Sequence, residues 1–149
     1  MDAHKQSINL RALWDSRTRR GLLPVLESLC RWALMVPGHD PSRFISPSAL
    51  MISMGVNLIQ ERAAGRSLTA GFDFTDEAFE MRLDGAALET RFVIPPQAPF
   101  VITGTGNTMA AAVYGARPLP DLVAANMVTV SGDMEAAQEF LALFQLGKT

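Results

Sequence analysis

The sequence predicts an α+β fold: a five-stranded, mainly antiparallel sheet with packed helices, plus a separate helix near the N-terminus. Three observations carry this. From Ser67 onward, three consecutive runs alternate apolar and polar residues, the period of half-buried strands. The segments on either side repeat apolar residues every three or four positions, the period of an amphipathic helix. Glycine and proline clusters punctuate the boundaries between them.

The first helix is expected over Arg17–Val36. Leu22, Leu26, Leu29, Ala33 and Val36 form its stripe, widened by Leu23, Cys30 and Leu34. Pro37-Gly38 ends it. His39 to Ile45 reads as a linker. Ser46-Pro47 then opens a second helix, with Ser as N-cap and Pro at the first helical position. Ala49, Leu50, Ile52, Met54, Val56, Leu58 and Ile59 make that helix apolar almost all round, and Gly65 is expected to close it.

In the first strand Leu68, Ala70, Phe72 and Phe74 alternate with Thr69, Gly71 and Asp73. In the second, Phe79, Met81 and Leu83 alternate with Glu80, Arg82 and Asp84. Asp84-Gly85 is a hairpin turn. In the third, Leu88, Thr90, Phe92 and Ile94 alternate with Glu89, Arg91 and Val93. One face of this sheet is expected to be dry and the other wet. Pro95, Pro96 and Pro99 break the chain before a short fourth strand, Phe100 to Thr103. Asn107–Tyr114 and Pro118–Ala125 read as short helices, the first with Thr105 as its cap. Met127–Val130 reads as a fifth strand, and Met134–Leu146 as a final helix with Ala137, Phe140, Leu141 and Phe144 inward.

Composition narrows the function classes. With 48% apolar residues and a net charge of −2 over 149 residues, the chain is not a disordered one. A single cysteine, Cys30, excludes an internal disulfide framework. No apolar run reaches the roughly 18 residues of a membrane span, and the first ten residues lack the apolar core of a secretory signal, so a cytoplasmic location is expected. Residues 1–45 carry seven basic and four acidic side chains, and residues 46–149 six basic and eleven acidic. That asymmetry divides the chain into an N-terminal helical segment, 1–45, and a main domain, 46–149.

No catalytic constellation emerges. His4 and His39 are isolated, and no cluster of metal-ligating side chains is spaced to converge. Cys30 lies on an apolar helix face without a histidine to activate it. Gly104-Thr105-Gly106-Asn107 sits between a strand and a helix but lacks the third glycine and the lysine of a phosphate loop. No enzyme activity, cofactor or metal is therefore expected. The distinctive inventory is apolar: eight Met and eight Phe against one Tyr. Such side chains form either a plain core or the lining of an adaptable apolar cavity.

The segment from about Leu68 to Phe144 resembles the sterol-carrier-protein domain family. The resemblance rests on Arg91-Phe92-Val93-Ile94, the helix around Met109 to Tyr114, and above all Val128-Thr129-Val130-Ser131-Gly132-Asp133 followed by Ala136-Ala137 and Phe140-Leu141-Ala142-Leu143-Phe144. It implies helices on one face of the five-stranded sheet around an apolar tunnel. The residues that would line the tunnel are Phe72, Phe74, Met81, Phe92, Met109, Val113, Phe140 and Phe144. The ligand would be a small apolar or lipid-like molecule.

A second resemblance lies upstream. Arg20-Gly21-Leu22-Leu23-Pro24-Val25-Leu26-Glu27-Ser28-Leu29-Cys30-Arg31-Trp32 resembles the last helix of HxlR-type winged-helix transcriptional regulators. It implies a homodimer through the Arg17–Val36 helix. The residues ahead of it offer no recognition helix, so sequence-specific nucleic-acid binding is not expected. Two function classes follow: a non-enzymatic binding module for a small apolar molecule, either effector-sensing or lipid-carrier-like, and an accessory regulator subunit acting through dimerisation.

Overall fold

The structure, a computed structural model, describes residues 24–25, 28–29, 45–85 and 87–146. Most of the helix expected over Arg17–Val36 lies outside these residues, although Pro24, Val25, Ser28 and Leu29 have helical backbone. The proposed dimer contact therefore also lies outside them. Among the described residues no helix is long and apolar enough to cross a membrane.

Helix α1 spans Pro47–Val56 and starts as the sequence predicts. The Ser46 hydroxyl accepts a hydrogen bond from the Ala49 amide at 3.2 Å, and Pro47 occupies the first turn. Leu50, Met51 and Met54 are its buried residues. The helix does not run on to Gly65. Asn57 ends it, Leu58 forms an isolated antiparallel bridge with Phe144, and the short helix α2, Gln60–Ala63, follows. The Ile59 amide donates to the Leu143 carbonyl at 2.8 Å, and the Gln145 amide to the Asn57 carbonyl at 3.1 Å. This pairing takes up the backbone groups that a continuous helix would have used.

Strands β1 (Ser67–Asp73), β2 (Ala78–Asp84), β3 (Ala87–Phe92), β4 (Phe100–Thr103) and β5 (Thr129–Gly132) form one sheet in the order β3-β2-β1-β4-β5. Alternation places Phe79, Met81 and Leu83 of β2 in the core, fully buried, while Arg82 and Asp84 face water. Asp84 pairs with Ala87 across the turn opened by Gly85, whose φ of +62° a residue with a side chain rarely adopts. The sheet is mainly antiparallel, as the sequence predicts, with one exception. β1 and β4 run parallel, Phe72 facing Ile102. β2 and β3 fold back as a meander on one side of β1, so the chain returns by a long connection to its other side. The outer face is polar on β2 and β3, but it is not wet throughout. Gly71 is buried under Pro96, and the Gln97 amide donates to the Glu80 carboxylate at 2.6 Å.

Three helices complete the fold: α3 (Gly106–Tyr114), α4 (Leu119–Ala124) and α5 (Met134–Leu141). Thr105 caps α3 through a reciprocal box with Thr108, the Thr108 amide donating to the Thr105 hydroxyl at 3.2 Å and the Thr105 amide to the Thr108 hydroxyl at 2.9 Å. The fifth strand begins two residues later than its apolar run suggests. Met127 closes the turn after α4 by donating to the Leu122 carbonyl at 3.0 Å, and pairing begins only at Thr129, opposite Thr103.

Gly132 and Asp133 then turn the chain. Gly132 has φ +88°, and a Cβ there would collide with the Pro99 carbonyl oxygen. The Asp133 amide donates to that same carbonyl at 3.1 Å, while its carboxylate accepts from the Ala136 amide at 3.0 Å and caps α5. Helix α5 lies across β1, β4 and β5. Its Phe140 ring centroid sits 6.2 Å from Phe72, 6.0 Å from Phe100 and 5.3 Å from Phe144. The helix ends at Leu141 rather than Leu146, because the strand-like pairing with residues 57–59 claims the backbone after Ala142.

Candidate functional site

The eight residues expected to line a tunnel do converge. Phe72, Phe74, Met81, Met109, Val113, Phe140 and Phe144 are buried in one cluster, with Phe92 packed against it from the edge strand. Phe92 meets Phe79 edge to face at 5.5 Å. Phe72, Met81, Met109 and Phe140 have no exposed surface, the condition of a close-packed interior.

A cavity of about 340 Å³ lies beside this cluster, open to solvent on one side. It falls between α3, α4, α5 and the α2 segment, and shares only Val113 and Phe144 with the expected set. Its apolar floor is Val113, Leu119, Leu141 and Phe144, each nearly buried. Its rim carries Arg62, Arg117, Gln138 and Gln145. The volume is within the roughly 300–1,000 Å³ typical of small-molecule sites.

Local sequence fixes each wall. Apolar residues on one face of α3 put Met109 into the core and Val113 at the boundary between core and cavity. Gly115 follows, its amide donating to the Ala111 carbonyl at 2.9 Å, where a Cβ would collide with that carbonyl. Tyr114, which also lines the cavity, is anchored at its hydroxyl, 2.9 Å from the Ser53 hydroxyl on α1. Asn57 braces the same spot by donating to the Ser53 carbonyl at 2.8 Å. On the opposite wall Arg62 donates to the Ala142 carbonyl at 2.7 Å, at the C-terminal end of α5, where a cation complements the helix dipole. Arg117 lies 3.7 Å from the Met127 sulfur.

Sequence reasoning missed the four polar rim residues. They stand on separate elements, and no local pattern links them; only the folded chain brings them to one opening. The arrangement offers a cavity with an apolar base and polar walls, with hydrogen-bond donors at its mouth. Among the described residues, no three His, Cys, Asp or Glu side chains gather into a metal-binding group.

Comparison with known proteins adds the following. Residues 39–149 match the family model described as alkyl sulfatase C-terminal. The stereoselective inverting sec-alkylsulfatase Pisa1 from Pseudomonas sp. superposes with a TM-score of 0.62 at 22% identity, covering 76% of this chain and 19% of that one. A double mutant of the same sec-alkylsulfatase gives 0.59 at 21% identity, covering 70% and 17%. The UbiJ-SCP2 ubiquinone synthesis protein gives 0.48 at 14% identity, covering 85% and 95%. The alkylsulfatase likeness is one of fold, and the chain spans about a fifth of the length of those enzymes. No curated protein matches the chain.

Proposed function

The chain belongs to the alkyl sulfatase C-terminal family, and from that premise we propose that it is a non-catalytic binding module for a small apolar or lipid-like ligand, held by its chain in the cavity between α3, α4 and α5. The observation that carries this reading is the cavity's base: Val113, Leu119, Leu141 and Phe144, each nearly buried, close the bottom of an opening that solvent reaches. An alkyl chain lying on it gains about 25 cal/mol for each Å² removed from water. The structural relative is described as a sec-alkylsulfatase, so an alkyl group is part of what that enzyme acts on. We infer that the module collects such chains for a catalytic partner. The alternative reading, an accessory transcriptional-regulator subunit, has no observation behind it among the described residues.

The test is titration of the chain with the fluorescent fatty acid dansyl-undecanoate. Saturable binding, weakened at least tenfold by Gln138→Trp at the exposed rim, supports the module. Absence of saturable binding, or binding that Gln138→Trp leaves unchanged, overturns it.

A further inference from the structure

We propose that the helical face formed by Pro24, Val25, Ser28 and Leu29 is a docking site for an anionic lipid surface, separate from the cavity. All four residues have helical backbone and all four are exposed. Residues one turn apart, such as Val25 and Leu29, share one side of a helix. Each of these two keeps 54% of its surface open to solvent. Among the described residues the exposed large apolar side chains are Val25, Leu29 and Ile94, so two of the three share a single helical turn. Leu29 also belongs to the stripe that the sequence spacing marks for burial. Paired apolar exposure of this kind marks a surface that a partner covers.

Charge decides which partner. Residues 17–36 carry the four arginines Arg17, Arg19, Arg20 and Arg31 against the single acid Glu27, a net charge of +3. Arginines stand toward both ends of that segment, so a second copy laid along it, parallel or antiparallel, sets like charge against like charge. A nucleic acid satisfies the arginines but gives Val25 and Leu29 no apolar phase to enter. An anionic lipid surface offers both. Its head groups accept from the guanidinium forks, and its acyl boundary takes the apolar side chains. The long arginine stems let the charge stay at head-group level while the helical face enters. Residues 46–149 carry eleven acidic side chains against six basic ones, so the same surface repels the main domain and contact is confined to the N-terminal segment.

The experiment is flotation of the whole chain with vesicles of phosphatidylcholine alone and of phosphatidylcholine containing phosphatidylserine. The anionic vesicles are expected to bind about tenfold or more tightly, an advantage that added salt removes. Arg19→Gln and Arg20→Gln are each expected to weaken that binding about fivefold, the contribution of one arginine near an anionic leaflet. Leu29→Ser is expected to weaken it by about the same factor through lost apolar contact. Gln138→Trp, at the cavity rim, is expected to leave it unchanged. Unfolding midpoints are read for every variant; if Leu29→Ser lowers its own, Val25→Ser and the two arginine variants decide. No flotation with the anionic vesicles overturns the proposal, as does equal flotation with both vesicles that is indifferent to these substitutions. Loss on Gln138→Trp alone also overturns it, because the vesicles then bind through the cavity. A dimer that Leu29→Ser dissociates, without flotation, assigns the face to a second copy, and retention by duplex DNA without flotation assigns the arginines to nucleic acid; either result overturns the proposal.

Discussion

Leu58 and Phe144 pair in an isolated antiparallel bridge, and this contact assembles one wall of the cavity. It brings the segment between α1 and α2 against the segment that follows α5. Phe144 thereby reaches the cavity floor and Arg62 its rim. The hydrogen bond from the Ile59 amide to the Leu143 carbonyl, 2.8 Å long, is shorter than the other backbone hydrogen bond of that junction, from the Gln145 amide to the Asn57 carbonyl at 3.1 Å. Replacement Ile59→Pro deletes the donor at a residue whose φ of −85° a proline tolerates. We expect a loss of about 1–2 kcal/mol in urea unfolding, together with weaker dansyl-undecanoate binding.

The turn into α5 depends on a backbone shape that only glycine takes without strain. Gly132→Ala places a Cβ at φ +88° and against the Pro99 carbonyl oxygen. The expected cost is about 2 kcal/mol or more, read as a lowered midpoint of denaturant unfolding.

Tryptophan substitutions separate core from cavity. Met109 has no exposed surface, so Met109→Trp overfills a packed interior and is expected to cost about 1–3 kcal/mol of stability. Gln138 is exposed at the rim, so Gln138→Trp is expected to reduce binding with little change in stability. Thermal unfolding and probe titration of both variants check the contrast.

Affinity should grow with the length of the ligand chain. Among short acids from butanoate upward, each methylene that still reaches the floor is expected to contribute up to about 0.8 kcal/mol, or roughly fourfold in Kd. The increment ends once the floor is covered. Calorimetry across the series measures it.

Much of the fold was legible in the sequence because it is local. Alternation in Phe79, Met81 and Leu83 set the face of β2, Asp84-Gly85 set the hairpin, and Ser46 and Thr105 marked helix starts. The departures all involve partners distant along the chain. The apolar pattern from Ala49 to Ile59 continues through the point where α1 breaks, because Leu58 packs half-buried against the core beside its bridge to Phe144 rather than through helix continuation. The parallel pairing of β1 with β4 leaves no mark on either strand's own alternation. Period put residues such as Phe72, Met81 and Phe140 on inner faces, and the family resemblance joined the eight apolar candidates into one set. Period does not distinguish Met109, enclosed on every side, from Val113, which borders open space. Arg62 and Arg117 read as ordinary exposed cations until the fold brings them to the same rim.

The most direct measurement is an NMR titration of the chain with dodecanoate, resolved at methyl and aromatic groups. The account predicts saturable shifts at Val113, Leu119, Leu141 and Phe144, the residues of the cavity floor. Shifts that do not saturate, or that gather around exposed Ile94 while Val113 and Leu141 stay unmoved, would contradict it.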